Sequence, residues 1–147
     1  MWYDVAMRYP EIKRRETTVA TAGDVQIGAG HPVVIQSMTN TSTADAAATV
    51  AQVRRLAEAG AQLVRVATPA PADTAALAQI VAESPVGIVA DVHFHFERAL
   101  EAIAAGVVKI RLTPGNITDR ELTREISRLR SVNAALESSI GPIIPVL

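Results

Sequence analysis

Four apolar runs rich in β-branched residues recur along the sequence, and an alanine-rich stretch with helical periodicity follows each. The runs read PVVIQSM, QLVRVAT, VGIVADVH and VVKIRLT. Strands that are apolar along most of their length and joined by helices are expected to be parallel, because parallel neighbours need a crossover connection and the helices then cover the sheet. This alternation restricts the fold to the α/β class, as an open doubly wound sheet or a (β/α)8 barrel.

An internal repeat supports the barrel. The segment AGAQLVRVATP at 59–69 is similar to AAGVVKIRLTP at 104–114, so a glycine, a strand with an arginine and a Thr-Pro pair occur twice. An open nucleotide-binding sheet usually has a glycine-rich turn after its first strand, and that turn here reads MTNTST. We therefore predict a partial TIM (β/α)8 barrel of about four βα units, half of what a complete barrel needs.

The segment before the first long run predicts a short β-hairpin, because two small apolar pieces flank an Ala-Gly-Asp turn in TTVATAGDVQIGAG. We assign residues 1–32 to an N-terminal segment and hairpin that would serve as a lid or plug. Residues 33–147 are assigned to the N-terminal half of a TIM-type barrel. Helix starts are predicted at a capping box formed by Ser42 and Asp45, near Pro71, near Phe96 and at Thr118.

Composition excludes several classes of function. The 147 residues carry a net charge of −1 and no long block of like charge, so neither a nucleic-acid groove nor a membrane surface is indicated. No apolar segment has the length of a membrane span or a secretory signal, and we expect a cytoplasmic protein. Cysteine is absent, which excludes disulfides and thiolate-held metal or iron–sulfur sites within these residues.

Two arginines interrupt strands that are otherwise apolar, Arg65 in the second run and Arg111 in the fourth. A guanidinium stays protonated, so its burial requires an anion beside it. Arginines from alternate strands would converge at the mouth of a barrel, where they suit a phosphate or diphosphate. An internal salt bridge to Asp91 is the alternative.

Asp91 and His93 share one face of the third strand and could orient a substrate hydroxyl, transfer protons or hold one another in place. With His95 they resemble the paired histidines of metal-dependent hydrolase barrels. Such a site needs further ligands from later strands, and the next helix is a competing place for His95, so we predict no metal site.

Further polar residues lie where the first and fourth runs end. The first run closes with Ser37, Met38, Thr39 and Asn40, which either meet a ligand or make a turn and cap the next helix. The turn after the fourth run carries Thr113 and Asn116, and it is either an anion site at a helix start or an ordinary strand-to-helix turn.

Five stretches in one order carry a resemblance over about residues 14–117: RRET, QSMTNTSTAD, AGAQLVRVATP, VADVHF and KIRLTPGNI. Together they resemble the N-terminal barrel of the 4-hydroxy-3-methylbut-2-enyl diphosphate synthase family of the non-mevalonate isoprenoid pathway. The resemblance implies an oxidoreductase that opens the ring of 2-C-methyl-D-erythritol 2,4-cyclodiphosphate reductively, with loss of water. It also implies a [4Fe-4S] cluster, held in a separate C-terminal domain, and flavodoxin or ferredoxin as electron donor.

The same resemblance implies roles for particular residues. Arg65 and Arg111 would bind the diphosphate, with Asp91 supporting His93. The other implied pocket residues are His93, Asn116, Ser37, Met38, Thr39, Asn40 and Thr113, the last standing where the family has an asparagine. We assign no catalytic residue to this chain.

The iron–sulfur domain is expected to be absent from the 147 residues, so we expect diphosphate binding without the reduction. Half a barrel leaves sheet edges and an inner face uncovered, which favours a homo-oligomer or a complementary chain as partner. Two alternatives remain, namely a non-catalytic truncated relative or split-gene subunit, and a barrel of the pterin-binding type.

Overall fold

The computed structural model describes residues 15–112 of the chain. A hairpin comes first, and four strands then alternate with three helices. The strands are β1 (Ala20–Ala22), β2 (Val25–Ile27), β3 (Gln36–Met38), β4 (Leu63–Ala67), β5 (Gly87–Val92) and β6 (Lys109–Leu112), and the helices are α1 (Ala46–Glu58), α2 (Pro71–Glu83) and α3 (Phe96–Ala104). The helix predicted to begin at Thr118 lies outside the described residues.

The four later strands form one parallel sheet in the order β3-β4-β5-β6, and the antiparallel pair β1 and β2 forms a separate hairpin. This arrangement confirms the predicted parallel α/β architecture with an N-terminal hairpin. Strand order that follows chain order is the order of a barrel wall, whereas a doubly wound sheet reverses its order at a switch point. The sheet therefore supports the barrel of the two folds left open by the sequence.

One face of the sheet packs against the helices and forms the main core. Alternate strand residues point to this outer face because side chains in a strand alternate with a period of two. The fully or nearly fully buried members from strands and helices are Val50, Val53, Val64, Val66, Leu77, Ile80, Ile88, Ala90, Val92, Ala99, Ala102 and Ile110. Each large aliphatic side chain buried in this way contributes about 1.5–3 kcal/mol of transfer free energy.

The opposite, inner face carries the hairpin over the N-terminal ends of the strands. Ala22 of β1 packs there on Leu63, Val89 and the partly buried Val108, and we call these four residues the hairpin cluster. Gly87 leaves room for two members of this cluster, because a Cβ at that position would lie 2.7 Å from Cγ2 of Val108 and 2.8 Å from Cδ2 of Leu63. The hairpin thus closes one end of the inner face with apolar contacts.

The start of α1 differs from the sequence-based prediction. The helix begins at Ala46, and its N-cap is Asp45, whose carboxylate accepts a hydrogen bond of 3.0 Å from the backbone N–H of Ala48. Ser42 lies before the helix, and its carbonyl accepts from the backbone N–H of Asp45. The predicted Ser42 capping box is wrong because a carboxylate three residues later already satisfies the first turn.

The starts predicted for the second and third helices are confirmed at Pro71 and Phe96. Proline suits the first helical position because its missing N–H would have no partner there. Among residues 15–112, no helix combines the length and the apolar character that a membrane crossing would need.

Candidate functional site

Register brings charged side chains from three neighbouring strands to the C-terminal part of the inner face. Arg111 of β6 lies beside Asp91 of β5, and Arg65 of β4 lies beside Val89, one alternation below Asp91. Since all three residues have the same parity in a parallel sheet, their side chains share one face. We call Arg65, Asp91 and Arg111 the anion cluster, because two of the three are cations placed where barrel sites usually form.

Asp91 is the centre of the cluster, and its side chain is only 2% exposed. Nη1 of Arg111 donates to both carboxylate oxygens, at 2.8 Å and 3.0 Å. Nε of Arg65 and Nε2 of His93 each lie 3.4 Å from Oδ2. The salt bridge that the sequence left as an alternative is therefore present, and it involves both arginines.

One carboxylate cannot balance two guanidinium groups. The cluster keeps an excess of one positive charge even with His93 neutral. The Arg65 and Arg111 side chains are 28% and 41% exposed, and Nε and Nη2 of Arg111 make no hydrogen bond to any residue within 15–112. A buried carboxylate thus holds two arginines in place, while part of their donor capacity is not used by any residue within 15–112 and could serve an incoming anion.

Met38 completes this surface from the neighbouring strand, because register places it directly beside Arg65. Its Sδ accepts from Nε of Arg65 at 3.2 Å and from Nη2 at 3.0 Å. Arg65 is therefore directed mainly at a neutral sulfur, with Asp91 at a longer distance.

Three residues from the end of the first run lie elsewhere. Ser37 has the opposite parity from Met38 and belongs to the helix side of β3. Thr39 is buried, and its backbone N–H and hydroxyl both donate to the carbonyl of Arg65. The amide oxygen of Asn40 accepts from Nε2 of Gln52 in α1 at 2.7 Å. Structural contacts thus occupy Thr39 and Asn40, as the turn-and-cap interpretation expects.

Two residues that brace the loop between β3 and α1 were not identified from the sequence. Oε1 of Gln52 accepts from the backbone N–H groups of Asn40 and Thr41. The carboxylate of Asp73 accepts from the backbone N–H groups of Ala44 and Ala70, at 3.0 Å in each case. An acidic residue shortly after a helix-starting proline is a signal for the Ala70 contact, whereas nothing in local spacing indicates Gln52.

A cavity of about 820 Å³ opens on the inner face, between residues 15–17 and 27–34 on one side and the sheet on the other. Its lining includes Lys109 and Gln36, one alternation below Arg111 and Met38, and Nζ of Lys109 donates to Oε1 of Gln36 at 3.3 Å. The anion cluster does not line this cavity. Lys109 nevertheless adds a further cation to the same face.

Of the remaining sequence-based candidates, the structure describes the position of His95 alone. His95 is the N-cap of α3, and residues 15–112 contain no group of three or more histidine, cysteine or carboxylate side chains that could hold a metal ion. Thr113 and Asn116 lie outside the described residues. Four of the ten predicted site residues, Met38, Arg65, Asp91 and Arg111, are thus joined by direct contacts, with His93 at their edge.

Comparison with known proteins gives a consistent result. Residues 17–140 match the family described as the GcpE TIM-barrel domain. The chain is 50% identical over 120 residues to a 4-hydroxy-3-methylbut-2-en-1-yl diphosphate synthase (flavodoxin) of Rhodospirillum rubrum, an alignment that covers 82% of this chain and 31% of that protein. It is 49% identical over 118 residues to the same-named protein of Acidiphilium cryptum, covering 80% of this chain and 32% of the relative.

A third relative, from Gluconobacter oxydans and with the same name, is 48% identical over 127 residues, which cover 86% of this chain and 32% of the relative. The chain therefore spans about a third of the length of the curated relatives that it matches.

Proposed function

Because the chain belongs to the family of the GcpE TIM-barrel domain, we propose that it is the part of a 4-hydroxy-3-methylbut-2-en-1-yl diphosphate synthase that binds the substrate's diphosphate. The proposed ligand is 2-C-methyl-D-erythritol 2,4-cyclodiphosphate. The barrel assignment of residues 33–147, with 1–32 as N-terminal segment and hairpin, is part of this proposal.

The observation that supports it is the unbalanced charge of the anion cluster. Two guanidinium groups converge on one buried carboxylate, with open donors and partial exposure. A purely structural ion pair needs one cation for one carboxylate, whereas here a second, partly buried arginine carries a positive charge that no second carboxylate balances. A diphosphate, with several anionic oxygens, would supply that compensation and accept bidentate hydrogen bonds.

Each residue has a defined place in this proposal. Arg111 and Arg65 contact phosphoryl oxygens, and Asp91 keeps both side chains oriented. His93, 33% exposed at the edge of the cluster, donates from its ring. Thr113 and Asn116, which follow β6 in the sequence, are proposed as further ligands. Thr39 and Asn40 hold the loop after β3, and Ser37 lies on the helix side of that strand.

The complete reaction is a reductive ring opening with loss of water, and it needs groups that these residues do not provide. A [4Fe-4S] cluster requires thiolate ligands, and the 147 residues contain no cysteine. The residues present therefore do not fit the cluster, and any cluster would be held by residues outside this sequence. A flavodoxin as electron donor, a cytoplasmic location and an oligomer or complementary chain belong to the same proposal.

The test is isothermal titration of the 147-residue chain with the cyclic diphosphate and with inorganic pyrophosphate. Arg111→Gln should weaken binding at least about tenfold, because it removes a charge-assisted hydrogen bond. Arg54→Gln is the matched control, since it removes the same formal charge from α1, where Arg54 is 57% exposed and 3.7 Å from Glu83.

Equal affinity in the Arg111→Gln and Arg54→Gln variants would overturn the proposal, because binding would then depend on overall charge alone. Binding of a pterin in preference to either phosphate ligand would favour the alternative type of barrel. Folding is checked for each variant by its thermal unfolding midpoint, which a ligand specific for the folded state should raise.

A further inference from the structure

The edge of the Arg65 guanidinium formed by Nε and Nη2 faces the sulfur of Met38. The Nε and Nη2 groups of a guanidinium form the fork that binds a carboxylate or a phosphate through two parallel hydrogen bonds. Both groups donate here to Sδ of Met38, at 3.2 Å and 3.0 Å. The sulfur thus occupies the same edge that an anion would use.

A thioether is a weak, neutral acceptor. It can orient the guanidinium without neutralising it, and an anionic oxygen, which is a much stronger acceptor, can displace it. The position beside Arg65 therefore controls how strongly the arginine is held before an anion arrives.

From this geometry we propose that the oxidation state of Met38 regulates anion binding at Arg65. The inference rests on the proposed function, since it assumes that Arg65 is an anion ligand. In the reduced state the thioether yields the Nε and Nη2 edge to the ligand. In the oxidised state the sulfoxide oxygen holds that edge as a strong, polar acceptor and lowers the affinity.

The chemistry requires a hydroperoxide as oxidant. The sulfur attacks the distal peroxide oxygen, so that an S–O bond forms and the O–O bond breaks. The proton of the transferred hydroxyl passes to the released oxygen, which leaves as water or an alcohol. The sulfur loses two electrons and the peroxide gains them. A dithiol reductant reverses the step, because it is oxidised to a disulfide while the sulfoxide oxygen leaves as water.

Met38 is accessible to such an oxidant, since 38% of the residue is exposed. The chain contains no cysteine and three methionines, of which only Met38 lies within the described residues 15–112. Sulfur oxidation of this chain is therefore confined to three positions, so the effect of one of them can be isolated.

The experiment measures pyrophosphate affinity of the full chain by calorimetry before and after mild peroxide treatment, in wild type and in Met38→Leu. Mass spectrometry locates the added oxygen. We expect treated wild type to bind about tenfold more weakly, because a strong acceptor must now be displaced from Arg65. The Met38→Leu variant should bind pyrophosphate equally well before and after treatment. Met1 and Met7 are present in both proteins, so any effect of their oxidation would appear in the variant as well.

A second variant makes the test independent of oxidation. Met38→Gln places an amide oxygen, also a strong neutral acceptor, beside Arg65, and it should lower the affinity in the same direction as the sulfoxide. In an Arg65→Gln background, the Met38→Gln change should have no further effect on binding. Such coupling would not arise if position 38 served only to fill space.

The inference is overturned if Met38 resists peroxide, if its sulfoxide leaves the affinity unchanged, or if treated Met38→Leu loses affinity equally. Failure of the proposed function looks different, because Arg65→Gln and Arg111→Gln would then both bind pyrophosphate as wild type does.

Discussion

The two ends of the inner face are built from the same strands and differ in chemistry. Leu63 and Val89 belong to the hairpin cluster, and two residues later on the same strands stand Arg65 and Asp91. The separation along each strand is about 7 Å. Packing at the hairpin cluster depends on the volume of apolar groups, whereas the arrangement of the anion cluster depends on charge. Substitutions should therefore affect stability and anion binding differently at the two ends.

The largest effect on stability is expected for Asp91→Asn, which removes the negative charge of the anion cluster. The side chain is almost completely buried between two arginines, and removing its charge should lower the free energy of unfolding by about 3 kcal/mol. Anion affinity should rise about threefold, because an amide oxygen can still orient Arg111 while the repulsion of the anion is gone. Denaturant unfolding and pyrophosphate calorimetry measure the two effects.

A loss of affinity in the Asp91→Asn variant would contradict the assignment of Asp91 as an orienting residue that competes with the ligand. The comparison between the two ends would then need revision, since the carboxylate itself would have to assist binding.

Gly87→Ala is the corresponding change at the hairpin end. The new Cβ would meet Cγ2 of Val108 at 2.7 Å and Cδ2 of Leu63 at 2.8 Å, so overpacking should cost about 2 kcal/mol of stability. Pyrophosphate affinity should not change where the protein is folded. Adding Val108→Ala should recover part of the loss in thermal unfolding, and absence of any recovery would show that Val108 does not pack against position 87 as described.

Asp73→Asn should have the smallest effect. It tests whether a residue that supports the loop near the charged end also contributes to anion binding. The change removes one of the two backbone hydrogen bonds that the carboxylate accepts from Ala44 and Ala70, at a cost of about 1 kcal/mol. Anion affinity should stay within about twofold of wild type, because Asp73 supports the loop between β3 and α1 and does not belong to the anion cluster. A larger loss of affinity would mean that the loop from Asn40 to Asp45 takes part in binding.

The sequence predicted the architecture well because strand and helix periods are strong local signals. The alternation of apolar runs with helical segments gave the parallel sheet, and Pro71 marked a helix start. The Ser42 prediction failed because two cap-forming residues competed and only the fold decides between them.

The site was predictable in part for a related reason. An arginine within an apolar strand is conspicuous, and strand parity places Arg65, Asp91 and Arg111 on one face. Contacts across elements leave no local mark in the sequence. The Met38–Arg65 contact depends on the register between β3 and β4, and the Asn40–Gln52 contact depends on how α1 packs over its loop.

The most direct test of the difference between the two ends is a titration of the isotope-labelled chain with pyrophosphate, followed by amide and arginine side-chain NMR signals. The account predicts saturable shifts at Met38, Arg65, Asp91, His93 and Arg111, and unchanged signals at Ala22, Gly87 and Val108. Shifts centred on the hairpin cluster, or no saturable shifts at the arginines, would contradict the assignment of anion binding to the C-terminal end of the inner face.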